Sequence, residues 1–251
     1  MAKPLIVPGI HAVNAVLETA PERVLSAWIE EKKRNPRIEA IREKLRSIGI
    51  SVETSQRQNL DRLCESTQHQ GVAIRCAPRE TIDEHDLISL IEEKDSPALL
   101  LALDEVTDPH NLGACLRVAD AAGVDAVILP SHRSAHLSPT VCKVSCGASE
   151  YLPIVRAGNL SRLLDTLKAA GYWVTGTVMD TPTSIYECDF TRPTVLIMGA
   201  EGTGLRRLTA QKCDFLVNLP LNGSVESLNV SVATGICLYE AVRQRRQSSP
   251  A

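Results

Sequence analysis

The sequence predicts an α/β protein, with a mostly parallel, Rossmann-like sheet in the larger C-terminal part of the chain and a small α/β unit before it. Short apolar strands alternate with helical patterns along residues 84–251, the order that parallel βα units produce. The run Ala98–Leu103 is almost continuously apolar, as expected of a parallel strand buried on both faces. Residues 1–77 show a shorter alternation of their own.

The N-terminal part, residues 1–77, alternates helices and strands. Gly9 leads into a helix with apolar residues at helical spacing, and Gly49 ends a second helix. In chain order the prediction is a helix through Leu17, strand Val24–Ile29, helix Ile38–Ile48, strand Ile50–Glu53, helix Leu60–Cys64 and strand Val72–Cys76. The short polar stretch 78–83 contains a proline, and we expect it to link this unit to a second domain at 84–251.

The second domain repeats the βα pattern several times. Asn111 is predicted to be the N-cap of a helix that ends at Gly123. In chain order the prediction is helix Ile82–Glu93, strand Ala98–Leu103, the helix through Ala122, strand Val124–Leu129, helix Val141–Ala148, strand Leu152–Val155, helix Leu160–Ala169 and strand Tyr172–Val178.

Glycine-bearing turns are concentrated near the C-terminus. Strand Val195–Met198 runs into GAEGTGL, and strand Phe215–Leu219 runs into a turn before a long helix predicted at Glu226–Arg245. The glycines allow the backbone to approach a ligand closely. The spacing lacks both the ordered G-x-G-x-x-G and the P-loop lysine, which argues against a nicotinamide-dependent oxidoreductase.

Composition points to an intracellular protein. No apolar run reaches the about 18 residues of a membrane helix, and the opening residues MAKPLIVPGIHA lack the core of a secretory signal. We therefore expect a cytoplasmic location and no membrane partner. The eight cysteines are scattered without a C-x-x-C pair, which predicts reduced, mostly buried thiols. His132 and His136 lack a companion carboxylate motif, so no metal site is predicted.

The formal net charge of −3 is unevenly distributed. Residues 1–78 carry 12 Lys/Arg and 9 Asp/Glu, whereas residues 79–251 carry 15 and 21. The N-terminal part is thus the basic one. Its loop EEKKRNPR is either a solvated loop or an RNA backbone contact, and in the second case the contacting residues are Lys32, Lys33, Arg34 and Arg37.

Three motifs occur in a fixed order: DPHNLGACLRVADAAG at 108–123, GAEGTGL, and SLNVSVA. Together they resemble the SpoU/TrmH class of RNA ribose methyltransferases, within the SPOUT superfamily. The resemblance implies a C-terminal trefoil knot, S-adenosyl-L-methionine as cofactor, and a homodimer whose interface includes the last helix. Within the class, the chain most resembles the bacterial enzymes that 2′-O-methylate a guanosine in the peptidyl-site loop of 23S rRNA.

The resemblance also implies roles for individual residues. Without the resemblance, Asn111 and Ser227 would be helix caps, Arg117 a surface residue and the leucines core residues. Glu201 is either a cap on the glycine-rich turn or an organiser of the catalytic site, and its expected partner is Arg117 of the same or a neighbouring subunit. The implied catalytic residues are Arg117, Asn111, Glu201, Ser227 and Asn229. The implied cofactor-binding residues are Gly199, Leu219, Leu228, Gly204, Pro220 and Val230.

The tract at residues 51–78 resembles the end of the small, ribosomal-protein-like RNA-recognition domain that these enzymes carry at the N-terminus. In that family the segment up to HQG contacts substrate RNA, which makes Gln68, His69 and Gln70 candidate RNA contacts. Two other functions stay open: a tRNA ribose 2′-O-methyltransferase, and a non-catalytic rRNA-binding assembly factor. The separate N-terminal domain argues against the first, and the presence of all five catalytic candidates argues against the second.

Overall fold

The computed structural model describes residues 4–31 and 34–248. The described chain forms two compact units. Unit 1 contains the chain up to Glu80 together with His136–Tyr151, and unit 2 contains Thr81–Ala135 and the chain from Leu152 onwards. The strands and α-helices are β1 (Leu5–Pro8), α1 (Ile10–Thr19), β2 (Val24–Glu30), α2 (Pro36–Ser47), β3 (Val52–Ser55), α3 (Arg57–Cys64), β4 (Val72–Cys76), α4 (Glu84–Glu92), β5 (Leu99–Leu103), α5 (Pro109–Ala121), β6 (Ala126–Pro130), α6 (Pro139–Val144), α7 (Ala148–Tyr151), β7 (Ile154–Ala157), α8 (Leu160–Ala169), β8 (Trp173–Thr177), β9 (Thr194–Met198), α9 (Arg207–Lys212), β10 (Phe215–Val217) and α10 (Val230–Ser248).

Unit 1 is built on a sheet of strand order β1-β4-β2-β3. Strand β4 is antiparallel to both β1 and β2, whereas β3 is parallel to β2. Apolar residues of α1 and α2 pack in one core with the sheet. The side chain of Cys142, on α6, belongs to that same core, so the helix pair α6–α7 is an integral part of unit 1.

Unit 2 is built on a sheet of order β10-β8-β9-β5-β6-β7, in which every strand pairing of the described residues is parallel. All residues of β5 are buried, which explains the continuous apolar run of that strand. Because parallel strands end at one edge, the loops that follow β5, β8, β9 and β10 gather there. The structure therefore confirms the predicted mostly parallel sheet and the small N-terminal α/β unit; the trefoil knot stays a prediction.

Several predicted elements have different bounds. Asn111 is not an N-cap, because helix α5 begins two residues earlier and the side chain of Asp108 accepts the capping hydrogen bond from the backbone amide of His110. The last helix begins at Val230, not at Glu226. The helix predicted at Val141–Ala148 is interrupted because Cys146 and Gly147 have φ values of +53° and +95°, which helices do not accommodate. Strand β1 and helix α9 were not predicted.

The cysteines are free, and six of the eight are buried, as predicted. Burial raises the pKa of Cys115 to about 11 and that of Cys237 to about 12, which keeps both thiols neutral near physiological pH. Within the described part of the chain, no helix is both long and apolar enough to span a membrane.

Candidate active site

The glycine-rich turn after β9 folds back on itself. Ala200 and Gly204 exchange two backbone hydrogen bonds, with N···O distances of 3.1 and 2.9 Å. A Cβ added to Gly199 would lie 2.5 Å from both the carbonyl oxygen of Gly204 and the amide nitrogen of Leu205. Glycine is therefore required at position 199 by the close approach of two backbone segments.

An ion pair with a buried carboxylate fixes the end of this turn to the neighbouring strand. Asp104 follows β5 directly and is 0% exposed. Its carboxylate accepts hydrogen bonds from the backbone amide of Arg206 at 3.2 Å and from the guanidinium Nε at 2.7 Å. Sequence reasoning missed this pair; the available signal was an acidic residue directly after a fully apolar strand.

A cavity of about 510 Å³ opens beside the turn. The loops after β8, β9 and β10 and the start of α10 form its walls. All six residues predicted to bind the cofactor line it: Gly199, Gly204, Leu219, Pro220, Leu228 and Val230. Two predicted catalytic residues, Glu201 and Ser227, line it as well. Sequence reasoning missed the polar lining residues Thr177, Asp180 and Asn218.

Three of the predicted catalytic residues are joined by hydrogen bonds. The Asn229 side-chain amide donates to the carbonyl oxygen of Asn111 at 2.9 Å, and the Asn111 amide donates to the Glu201 carboxylate at 3.1 Å. These residues come from three separate places in the chain: the first turn of α5, the turn after β9, and the residue before α10. We call Asn229, Asn111 and Glu201 the amide–carboxylate series.

Ser231 fixes the direction of this series. Its backbone N–H and its hydroxyl both donate to the Asn229 side-chain oxygen, at 2.9 and 2.6 Å. The amide nitrogen of Asn229 must then face Asn111, whose own nitrogen faces Glu201. Asn229 also caps the last helix, so the capping role considered for Ser227 falls to Asn229. Ser231 was not predicted to be a site residue.

Packing between α5 and α10 holds the two asparagines together. The Cys115 sulfur lies 3.5 Å from the Thr234 hydroxyl, and that hydroxyl donates to the Val230 carbonyl at 2.7 Å. Cys115, Thr234 and Val230 are all buried. Each asparagine lies near the N-terminal end of its helix, so this packing determines their separation.

Arg117 is not part of the amide–carboxylate series within one chain. It lies on α5, six residues beyond Asn111, and is exposed. Within residues 4–31 and 34–248, its side chain makes no hydrogen bond or ion pair. The partner of Glu201 in the same chain is Asn111, so the expectation that Arg117 of the same chain pairs with Glu201 is wrong. Ser227 is likewise exposed.

The predicted RNA contacts all fall in unit 1. Lys32 and Lys33 lie outside the described residues, and Arg34 and Arg37 are exposed. Gln68 and Gln70 are also exposed.

His69, by contrast, is 1% exposed. Its Nδ1 accepts a hydrogen bond from the Gly71 amide at 3.0 Å, and its Nε2 lies 3.1 Å from the Asp61 carboxylate. This contradicts a direct RNA contact by the His69 side chain, which instead holds the loop.

Metal binding was not predicted. Among the described residues, no three His, Cys, Asp or Glu side chains gather to hold a metal ion; the absence of a metal stays a prediction.

Family models match both parts of the chain. The model of the SpoU rRNA Methylase family matches residues 98–239. That of RNA 2′-O ribose methyltransferase substrate binding matches residues 6–82. The chain is 48% identical over 250 residues to the 23S rRNA (guanosine-2′-O-)-methyltransferase RlmB of Coxiella burnetii, covering 100% of both chains. It is 51% identical over 237 residues to the enzyme of the same name from Pseudomonas aeruginosa, covering 94% of this chain and 95% of that one.

A solved structure shows the same fold. The SpoU methyltransferase AviRb from Streptomyces viridochromogenes, in complex with the cofactor AdoMet, aligns with a TM-score of 0.81 and 25% sequence identity. The alignment covers 98% of this chain and 92% of that chain. The methylase match spans more than half of the chain and includes the whole amide–carboxylate series, so the chain belongs to the SpoU rRNA methylase family.

Proposed function

We propose that this protein transfers a methyl group from S-adenosyl-L-methionine to the ribose 2′-OH of a guanosine in the peptidyl-site loop of 23S rRNA. The observation that carries the proposal is the similarity, at 48–51% identity and almost full length, to enzymes named for guanosine-2′-O-methylation of 23S rRNA. The site is consistent with that chemistry, because polar groups converge at the mouth of a cavity lined by glycines and leucines.

The cavity fits the cofactor in size and lining. Its volume of about 510 Å³ lies within the range of small-molecule sites. The Gly199 backbone and the second lone pair of the Gly204 carbonyl offer hydrogen-bonding groups to an adenosine, and Leu219 and Leu228 form an apolar wall. When bound, S-adenosylmethionine supplies an electrophilic methyl group on a sulfonium sulfur.

The acceptor hydroxyl must be oriented and must lose its proton, because a ribose 2′-OH is a weak nucleophile. A guanidinium is a poor proton acceptor at neutral pH. We assign to Arg117 the role of binding the phosphate beside the target ribose, or of lowering the pKa of its 2′-OH. Glu201 is the organising carboxylate, held by Asn111. Asn111 donates to one oxygen of Glu201, and within the described residues the other oxygen accepts no hydrogen bond.

The contacts of Asn229 do not favour a role in holding the target ribose. Its oxygen accepts from Ser231 and its nitrogen donates to Asn111, so most of its hydrogen-bonding capacity is used inside the protein. We infer that Asn229 orients Asn111. Ser227, exposed at the cavity wall, is better placed to contact the ribose.

We further propose a homodimer in which Arg117 of one subunit completes the site of the other. Helix α10 buries one side against α5, yet Val232 and Tyr239 on it are 51% and 53% exposed. These residues are seven apart and therefore share a face. A second copy packed on this face would cover them.

Unit 1 serves as the RNA-binding module in this proposal. We place the module in residues 1–77, the linker in 78–83 and the methyltransferase domain in 84–251, with His136–Tyr151 as a segment of the methyltransferase sequence that folds with the module. Action on rRNA places the protein in the cytoplasm.

The test compares 23S rRNA and tRNA as methyl acceptors. Purified protein and methyl-labelled S-adenosylmethionine are incubated with 23S rRNA from cells that lack the protein, and separately with tRNA from the same cells. We expect label in 23S rRNA and none in tRNA. Label in tRNA would favour a tRNA enzyme, and retention of RNA without transfer would favour an assembly factor.

A further inference from the structure

The helix pair α6–α7 supplies a cation to unit 1, although its sequence lies inside the methylase match. Cys142 is 3% exposed and packs in the unit 1 core. On α7, the Glu150 carboxylate forms an ion pair with the Arg23 guanidinium, with an N···O distance of 2.6 Å. Both contacts are buried, so the position of Lys143 on α6 is fixed relative to the N-terminal sheet.

Lys143 lines a cavity of about 410 Å³ in unit 1. Its ammonium group donates to the Ser66 hydroxyl at 2.8 Å, which holds it at the start of the loop 66–71. Arg57, at the first residue of α3, lines the same cavity, as do Gln68 and Gln70.

The charged lining of the cavity consists of the cations Arg57 and Lys143 and one carboxylate, that of Glu30, and is therefore net positive. Other basic residues of unit 1 form ion pairs, as Arg23 does with Glu150 and Lys44 does with Glu18. In the part of the chain that the structure describes, Arg57 and Lys143 form none. Unpaired cations that line one cavity favour an anionic ligand.

The loop between these cations is rigidly built and presents amide groups. Gln70 has a φ of +58°, and its side-chain oxygen accepts from the Ile10 amide at 2.8 Å. The buried ring of His69 secures the next turn through the Gly71 amide. Among the described residues, the side-chain nitrogen of Gln70 and the side-chain amide of Gln68 have no hydrogen-bond partner, so both can bind a ligand. An amide both donates and accepts, as base edges require.

We propose that this cavity binds one nucleotide of the rRNA substrate, with Arg57 and Lys143 on backbone phosphates and Gln68 and Gln70 on the base. The proposal rests on the proposed function. It assigns two phosphate contacts that no motif indicated, one of them from the methylase part of the sequence. An RNA nucleotide is favoured over an acidic protein segment because one cavity contains both basic side chains, which suit phosphates, and side-chain amides, which suit the edge of a base.

The test measures binding of the full-length protein to a transcript carrying the peptidyl-site loop of 23S rRNA, as a function of salt and without S-adenosylmethionine. Arg57→Gln and Lys143→Gln remove the charges but keep hydrogen-bonding ability, which protects the Ser66 contact. The matched controls are Arg62→Gln, exposed on α3 but outside the cavity, and Lys44→Gln, which is ion-paired. Melting temperatures check that all four variants fold.

We expect each cavity variant to weaken binding about tenfold, since a hydrogen bond to a charged group is lost. The slope of log affinity against log salt should fall by about 1 per variant. With turnover, KM for RNA should rise while kcat at saturating RNA stays unchanged. Unchanged affinity and slope, or equal losses in the controls, would overturn the proposal. So would equal competition by an acidic peptide.

Failure of this proposal is distinguishable from failure of the proposed function. The binding curves need no methyl transfer, so they decide the role of the cavity even if the wild-type protein methylates nothing. Conversely, normal methylation by both cavity variants at low RNA concentration would reject the cavity and leave the methyltransferase activity intact.

Discussion

The side-chain amide of Asn111 donates a hydrogen bond of 3.1 Å to the carboxylate of Glu201. The two residues are 90 positions apart, with Asn111 on α5 and Glu201 in the turn after β9. The amide holds the carboxylate at the mouth of the cavity, and Asn229 and Ser231 hold the amide in turn. In the proposed mechanism, orientation of the methyl-acceptor site depends on this series of polar contacts across the α5–α10 interface.

Asn111→Asp should disable this series. It replaces the donor that faces Glu201 with a second carboxylate, and like charges at hydrogen-bonding distance repel. We expect turnover to fall about a hundredfold, as for other small misplacements of a reacting group. Affinity for S-adenosylmethionine, measured by calorimetry, should remain near that of the wild type. A large loss of cofactor affinity with unchanged kcat would contradict the assignment.

Ser231→Ala is a milder test of the hydrogen-bond direction in the amide–carboxylate series. The backbone N–H of residue 231 still donates to Asn229, so one of two orienting hydrogen bonds survives. We expect a smaller loss of turnover than for Asn111→Asp and a loss of unfolding free energy of about 1 kcal/mol. Single-turnover rates and urea denaturation measure the two effects. A loss of stability with no change in the methyl-transfer rate would reduce Ser231 to a structural residue.

Gly199→Ala should distort the cofactor cavity. The new methyl would meet backbone atoms of Gly204 and Leu205, which cannot withdraw as a side-chain end can. We expect a cost of about 1–3 kcal/mol and a clear loss of S-adenosylmethionine binding. The matched control is Gly223→Ala, where the added Cβ has nothing within 4 Å. Equal behaviour of the two variants would contradict the reading of the turn.

Arg206→Ala should destabilise unit 2 strongly. The substitution removes the guanidinium, so that within the described chain only the backbone amide of residue 206 still donates to the buried Asp104 carboxylate. Leaving a buried charge without its ionic partner costs about 3–5 kcal/mol. Arg207→Ala, at an exposed neighbour on α9, should have little effect. Thermal unfolding measures both. Similar melting temperatures for the two variants would exclude the Asp104 pair as the anchor of the turn.

Arg117 is expected to act across a dimer. Arg117→Lys should abolish most turnover and leave cofactor affinity nearly intact, because lysine lacks the bidentate fork of arginine. Arg117→Ala and Glu201→Ala subunits should each be inactive alone. Mixed and reassembled, they should recover about a quarter of wild-type turnover, since half of the dimers are hybrids with one intact site. No recovery in verified hybrids would place Arg117 in the site of its own chain.

Most strands and helices could be predicted from the sequence, because burial determines which residue types occur along a strand or helix. The apolar run that became β5 and the glycine-stopped helix α8 were predictable for this reason. Strand β1 was not, since its 4 residues are too short to show a period. The N-cap prediction at Asn111 was wrong because Asp108 followed by Pro109 is a stronger signal for the start of a helix.

The site was less accessible to sequence reasoning. Motif resemblance identified Asn111, Glu201 and Asn229, but the hydrogen bonds between them depend on how α5 meets α10, a contact between residues 118 positions apart. Ser231 lies inside the SLNVSVA motif, but no local pattern shows that its hydroxyl bonds to Asn229. The inward turn of His69 and the membership of Lys143 in unit 1 likewise follow from tertiary packing, which no local pattern encodes.

The central claim is best tested by identifying the methylated nucleotide. Purified protein, S-adenosylmethionine and 23S rRNA from cells lacking the protein are combined, and the product is digested and sequenced by mass spectrometry. The account predicts one new 2′-O-methylguanosine in the peptidyl-site loop, absent with Arg117→Lys. A methyl group on a base, or RNA left unmodified by protein that binds the cofactor, would contradict it.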